Sequence, residues 1–526
     1  MAIEYRIFGP PGTGKTYTLC NSIIKDMIEK YGKQKIMVTS FTRTAAINIA
    51  ARAGLPIGPM HGTLHSISYQ ALKKPELVDS KIKDWNNLHP DWAINGGNLE
   101  ENNRSNVFSK YQLFQNKMMP EKEWPDEVRK FASKWTEFKQ KTGTVDFLDM
   151  ILLARSQLAF PPFSPAVIIV DEGQDFSPLQ LDLVRAWGLH IPEMYIACDD
   201  DQAIYSFQGA DIQKLLIPDV PIEQKIFLTQ SYRVPIAAHA LAMGISKQIS
   251  FREEKDYNPT IVDGSVELCD CTFESPTVAI KKALSLDGSS IFMASCGYML
   301  KPIINELKVN GVPFHNPYKK EDKVWNPLST KATHLLYNFL SYGEDDPYWS
   351  TEQLLEWIKE IKVGTEGLIR GQAKKLIKML GEALEDGQKG LHTCREYIDD
   401  LLAPEALNKA LKRDVDWFSA NIKKAMINPL LYPKKIVAQN KGQIDKLKEE
   451  PKIMLGTIHS FKGTEADNVF IFPDVSWSAN KEFTNSVIGK DNMHRLMYVA
   501  VTRTKDKLFI TKPSMNSGKN FYRFIF

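Results

Sequence analysis

The stretch IEYRIFGPPGTGKTYTLCNSIIKDMIEKYG, residues 3–32, decides the fold. It reads as a short apolar strand, a glycine-rich turn and a helix whose apolar residues Leu19, Ile23, Ile24, Met27 and Ile28 recur at helical spacing. The turn fits the pattern Gly-x-x-x-x-Gly-Lys-Ser/Thr through Gly9, Gly14, Lys15 and Thr16, with Pro10, Pro11, Gly12 and Thr13 between them. Glycines let backbone N–H groups close around phosphate oxygens, a lysine adds a point charge for the β and γ phosphates, and a threonine hydroxyl ligates Mg2+. The plain alternative is a Gly-Pro turn that merely caps a helix, and the flanking strand and helix count against it.

Further along, FSPAVIIVDEGQDFSPLQ (163–180) carries an unbroken apolar run, Ala166 to Val170, that ends in Asp171 and Glu172. Such a run suits a strand buried on both faces of a parallel sheet, and its C-terminal end is where α/β folds bind ligands. Asp171 is expected to hold Mg2+ through water, and Glu172 to orient and deprotonate the attacking water. These two stretches together imply nucleotide hydrolysis without revealing its purpose. A third, EMYIACDDDQAIYSFQGAD (193–211), reads as another buried strand followed by three acids, Gln202, Tyr205 and Phe207. Acids and a glutamine suit a metal or phosphate site. Aromatics at alternate positions suit a surface that stacks on something flat, or burial in a core, and the residues alone leave that choice open.

At 526 residues the chain is long enough for several domains, each with a core. With 43% hydrophobic and 25% charged residues it has ordinary globular composition, and a net charge of +3 neither demands nor excludes a nucleic-acid partner. Of six cysteines only Cys269 and Cys271 lie close in sequence, at a spacing that matches no zinc pattern, so reduced thiols in a cytoplasmic protein are expected. No signal-peptide pattern opens the chain and no apolar run approaches the ~18 residues of a membrane span, so no membrane partner is expected.

Read in order, GPPGTGKT (9–16), VTSFTRTAA (38–46), GTLHS (62–66), VDFLDMI (145–151), VDEGQD (170–175), CDDDQAIYSFQGA (198–210), LTQSYRVP (228–235), GTIHSFKGTEADNVFI (456–471) and LMYVAVTRTKDKL (496–508) resemble the ordered motifs of superfamily 1A helicases, the UvrD/Rep/PcrA kind. The resemblance implies an α/β fold of two RecA-like P-loop NTPase cores, parallel sheets flanked by helices, with two largely helical insertions. Core 1A would comprise residues 1–66 and 144–225, insertion 1B 67–143, core 2A 226–317 and 450–526, and insertion 2B 318–449. Residues 84–106, rich in Trp, Asn and Gly, read as loop-like, and 350–425 as amphipathic helices.

It also implies ATP with Mg2+ in the cleft, and a track of single-stranded and partly duplex DNA. Gln202 would reach the γ phosphate, while Tyr205 and Phe207 face the strand, so one loop touches both fuel and track. Arg233 and Arg503 match the family's two arginine fingers, Tyr232 the residue that stacks on adenine, and Glu465 an acid near ribose and the γ phosphate. Phe41, Thr42, Thr63, His65, Thr457 and His459 resemble strand-contacting residues, with a buried structural histidine as the plain alternative at 65 and 459. Arg43 or Lys462 could supply charge to the track, the sequence leaving open where their side chains point. Two departures stand out: Phe207 replaces the family's usual Trp, and Gln208 an Arg often found beside it. No match to the family's adenine-recognising segment precedes the phosphate loop, and after the last motif MNSGKN (515–520) is expected to turn a short hairpin beside Phe521 and Tyr522.

The implied activity is an ATP-dependent DNA helicase moving 3′ to 5′, a monomer serving replication or repair proteins. The competing readings are a single-strand-stimulated ATPase that strips proteins from DNA with little unwinding, and a non-catalytic nucleotide-gated module. The intact Lys15, Asp171, Glu172, Gln202, Arg233 and Arg503 argue against the last.

Overall fold

The computed structural model describes residues 3–94, 107–319, 322–343, 347–385, 394–395 and 397–514. Two six-stranded sheets organise the chain. The first is built from β1 (Ile3–Phe8), β2 (Ile36–Ser40), β3 (His61–Gly62), β4 (Val167–Asp171), β5 (Glu193–Cys198) and β6 (Lys225–Phe227), in the order β3-β2-β4-β5-β1-β6. The second contains β7 (Ser265–Cys269), β8 (Ser290–Ala294), β9 (Phe314–His315), β10 (Ile453–Thr457), β11 (Ala466–Phe472) and β12 (Thr504–Thr511), in the order β7-β12-β11-β8-β10-β9. Every pairing in both is parallel. Residues of β2, β4 and β8 are buried throughout, as continuous apolar runs covered by helices on both faces must be. Strand β6 spans the expected 225/226 division and pairs with β1, so the first sheet continues past residue 225.

After the phosphate loop the chain runs helically from Lys15 to Tyr31, with a π turn over Leu19–Ile23. That turn keeps Leu19, Cys20, Ile23, Ile24 and Met27 packed on the sheet while Ile28 is half-buried.

Between β3 and β4 the described chain is helical, over Leu64–Ala71, Ile82–Leu88, Val107–Asn116, Asp126–Thr142 and Phe147–Gln157. Residues 82–88 are helix where the sequence reads as loop from 84. Trp85 is fully buried, 4.8 Å from Trp135 and 5.6 Å from Phe131, and the Asn86 side chain exchanges hydrogen bonds with Ile94 at 2.7 and 3.0 Å. Tertiary packing thus overrides weak local propensity. Residues 95–106 lie outside the described chain.

Between β9 and β10 the described residues form six longer helices, Lys331–Leu340, Thr351–Ile358, Gln372–Glu385, Pro404–Leu411, Val415–Asn421 and Lys424–Gln439, and a short one, Ile398–Leu401. They share one apolar core with a face of the second sheet, in which Phe339 stacks on Phe418 at 4.3 Å and meets Trp357 edge-on. The expected hairpin at 515–520 and its flanking Phe521 and Tyr522 lie outside the described residues. All six cysteines are free thiols, Cys269 and Cys271 with their sulfurs 3.6 Å apart. Among the described residues no helix is long and apolar enough to cross a membrane.

Candidate nucleotide and nucleic-acid site between the two cores

The turn after β1 is held open by its glycines. Gly12 and Gly14 adopt φ of 76° and 80°, where L side chains are strained. A Cβ on Gly12 would meet Arg233 Cβ and Ser231 Oγ, each at 2.7 Å, and one on Gly9 would meet Lys15 Cγ at 2.4 Å. The segment 231–233 closes over the turn. Ser231 Oγ donates to the Pro11 carbonyl at 3.0 Å, as does Tyr257 Oη at 2.9 Å, and Tyr232 N donates to the Gly12 carbonyl at 2.9 Å. Within the turn, Thr13 Oγ1 donates to Pro10 O and Lys15 Nζ curls back to Gly9 O at 2.5 Å. Thr16 lies in the first helical turn, and the Tyr232 ring stands 79% exposed beside the loop, free to stack on a planar ligand.

Asp171 and Glu172 end β4 with opposite electrostatics. Burial, then the adjacent Glu172, pushes the Asp171 carboxyl up to about 7, and its Oδ1 is buried with no hydrogen-bond partner among the described residues. Burial also works to raise Glu172, but the ammonium groups of Lys462 and Lys15 outweigh it and hold that carboxyl below its usual range. Glu172 has φ 54°, a left-handed position for a residue with a side chain, and accepts from Gln174 Nε2. Two neighbouring acids pushed apart in this way can divide the work of cation ligand and base. An orphaned, buried carboxylate oxygen at the end of β4, within the electrostatic reach of Lys15, fits a divalent cation.

Gln202 and Arg503 meet across the cleft. Arg503 Nη2 donates to Gln202 Oε1 at 2.8 Å, and Gln202 Nε2 donates to Asp199 Oδ2 at 2.5 Å. Burial, then Arg233, pushes the Arg503 guanidinium down to about 9, so it remains charged at neutral pH. Arg233 is paired with Glu465 at 3.2 Å, Glu465 in turn with Lys505 at 2.9 Å, and Arg233 Nε is buried without an acceptor among the described residues. The second core therefore presents two arginines to the phosphate loop and its carboxylates.

On the adjoining face four rings from both cores converge. Tyr205 stacks on Phe41 at 4.9 Å and 26°, and lies 6.0 Å from Phe207. Phe207 meets His459 edge-on at 5.2 Å, while Tyr205 Oη donates to the His459 carbonyl at 3.2 Å. All four rings are partly exposed. Thr42, Thr63 and Thr457 each accept a backbone N–H from three residues on, at 3.2–3.3 Å, which leaves each hydroxyl proton available to an outside acceptor. His65 packs edge-on to Phe147 at 6.1 Å, and burial pushes its imidazole down to about 4, so it is neutral at pH 7.

Sequence reading missed what holds the acids of 199–201. Lys255 Nζ lies 2.6 Å from Asp200 and 2.9 Å from Asp201, Arg252 grips Asp201 through two bonds of 2.8 and 2.6 Å, and Arg495 Nε donates to the Asp200 carbonyl. Their carboxylate oxygens lie within 4.8 Å of one another, the spacing of a cation site, but an ammonium already fills it. Those acids join the two cores electrostatically instead of holding a metal. Of Arg43 and Lys462, the two residues that could supply charge to the track, Lys462 turns inward. Its Nζ bonds both oxygens of Asp175 at 2.6 Å and the Gln202 carbonyl at 2.8 Å, and lies 5.3 Å from the Tyr205 ring centre. Arg43 is exposed at the start of its helix. Nothing in SFREEKDYNP (250–259) announces these pairings, since the partners lie some fifty residues away.

Residues 4–208 match the family model of an AAA domain, and residues 351–515 that of the UvrD-like helicase C-terminal domain. The chain is 23% identical to the YjcD protein of Bacillus subtilis, over 98% of this chain and 78% of that protein. To a "Probable DNA helicase II homolog" of Mycoplasma capricolum it is 24% identical, over 96% of this chain and 82% of the relative. DNA helicase II of Escherichia coli is 25% identical over 42% of this chain, and the match spans 35% of that protein's length. Two parallel sheets, two family matches in chain order and relatives that align over nearly all of this chain agree: the chain belongs to the superfamily 1A, UvrD-like helicases.

Proposed function

We propose that this protein hydrolyses ATP to move 3′ to 5′ along single-stranded DNA and to unwind duplex. The observation that carries the reading is the loop 199–211. Gln202 contacts Arg503 at one end of it, and Tyr205 and Phe207 join the aromatic group with Phe41 and His459 at the other. A change in how Gln202 and Arg503 are held is thereby transmitted over a few residues to rings able to stack on bases, an interaction of ~1–3 kcal/mol per base that tolerates any sequence.

In this proposal Gly9 to Thr16 cradle the triphosphate, Tyr232 stacks on the base, and Glu465 fixes Arg233 by their ion pair. Glu172, kept ionised by Lys462 and Lys15, accepts the proton of the attacking water. Arg233 and Arg503 neutralise charge developing on the transferred phosphoryl, a role worth ~10³ or more in rate. Thr16 and Asp171 would hold Mg2+, which when bound neutralises phosphate charge. Thr42, Thr63 and Thr457 donate to backbone phosphates and so position the strand without reading its sequence. His65, being neutral, contributes a hydrogen bond at most. The expected state is a monomer acting with replication or repair proteins.

The test is strand displacement from partial duplexes carrying a 3′ or a 5′ single-stranded tail, using wild type, Lys15→Ala and Glu172→Gln. Unwinding of the 3′-tailed substrate alone, lost in both variants while strand binding survives, supports the proposal. Equal use of both tails contradicts the direction. ATP-driven removal of a bound protein without strand displacement favours a stripping ATPase.

A further inference from the structure

A cavity of about 410 Å3 lies where the second core meets the helices inserted between β9 and β10. It is bounded by the C-terminal end of helix Gly297–Val309, by residues 323–330 and by helix Lys424–Gln439. The first of these helices starts just after the C-terminal end of β8 and rises ~20 Å along its length, so the cavity opens well away from the nucleotide cleft. Tyr432 anchors the far wall through a 2.7 Å hydrogen bond to the Val312 carbonyl.

Three features define what could enter. The cavity is basic: Lys308, Lys323 and Lys435 line it, no ion-pair partner exists for any of them among the described residues, and helix Lys424–Gln439 contains no acid. Lys308 is half-buried, and burial with no opposing charge pushes its ammonium down. Pro429 also lines the cavity, and its carbonyl lacks the helical donor four residues on, because Pro433 has no N–H to give. Finally the cavity has an apolar rim, with Val309 60% and Leu431 62% exposed.

We propose that this cavity docks an acidic peptide segment of a partner protein, one that carries an aliphatic side chain among its carboxylates. The carboxylates pair with Lys308 and Lys435, a peptide N–H meets the Pro429 carbonyl, and the aliphatic group covers Val309 and Leu431. A nucleic-acid backbone would satisfy the lysines but brings no N–H donor for the carbonyl.

Fluorescence anisotropy of the full chain with a labelled hexapeptide of alternating aspartate and leucine tests this. The expected result is saturable binding with a Kd of about 0.1 mM or tighter at low salt, weaker as salt rises. Lys435→Glu and Lys308→Glu should each weaken it about tenfold or more, as should serine in place of the leucines. Lys308→Gln, which keeps the stem's packing, guards against misfolding of the reversed-charge variant, and strand-stimulated ATP hydrolysis should be unchanged in Lys435→Glu. Absence of saturation, equal binding by the variants, or loss of affinity for a short blunt duplex with which the peptide does not compete would overturn the proposal.

Discussion

Replacing Lys462 by methionine should separate the stability of the inter-core contact from its use. The side chain makes two bonds of 2.6 Å to Asp175 and one of 2.8 Å to the Gln202 carbonyl, and its ammonium lies 4.0 Å from Glu172. Methionine keeps most of the stem's volume, so packing loss is small. Breaking one side of a buried pair costs ~3–5 kcal/mol. Burial already pushes the Asp175 carboxyl up to about 7 against the pull of Lys462. In the variant it takes up a proton, and the loss falls at the low end, about 3 kcal/mol. Spread over the unfolding entropy of a chain this long, that lowers the melting temperature by about 3 °C if the chain unfolds as one unit. Adding Asp175→Asn, which needs no counter-charge, should recover most of this loss. Stimulation of ATP hydrolysis by single-stranded DNA should fall about tenfold or more in the single variant and stay low in the rescued double variant. Unchanged melting in the single variant, or stimulation that returns with stability, would refute the reasoning.

Three further outcomes follow from the geometry. Gly12→Ala forces φ 76° on a residue with a side chain and drives its Cβ into Arg233 and Ser231, so turnover should fall at least ~100-fold, measured as steady-state hydrolysis, with the helices intact by circular dichroism. Tyr232→Ala removes an exposed ring, so KM for ATP should rise about tenfold while the melting temperature is unmoved. His65 has a folded pKa of about 4, below its ordinary 6.5, so the folded state holds fewer protons between those values. The His65 contribution to stability is therefore constant above pH 6.5 and falls as pH drops through that window, by up to about 3 kcal/mol, and His65→Phe should remove that contribution from the melting profile.

The nucleotide side was legible because its chemistry is local. Gly9 to Thr16 lie between a strand and a helix, and Ala166 to Val170 run directly into Asp171 and Glu172, so sequence neighbours are also spatial neighbours. The fold was legible for the same reason: buried parallel strands announce themselves as unbroken apolar runs. What escaped depends on distant chain. The acids of 199–201 suggested a metal or phosphate until Lys255 and Arg252 were found filling the space between them. Lys462 could point to the track or to the cleft, and only the position of Asp175 decides. Trp85 and Asn86 have loop-like composition, but their partners at 94, 131 and 135 make them part of a packed helix.

The central claim is that the loop 199–211 couples hydrolysis to the strand. It is tested most directly by ATP hydrolysis with and without single-stranded DNA, at low and moderate salt, in wild type and in the Tyr205→Ala, Phe207→Ala double variant. The account predicts strong stimulation in wild type and little in the variant, with basal hydrolysis retained because Gln202, Arg503 and Glu172 keep their partners. Stimulation that survives loss of both rings would contradict it, returning Tyr205 and Phe207 to a purely structural role beside Phe41 and His459.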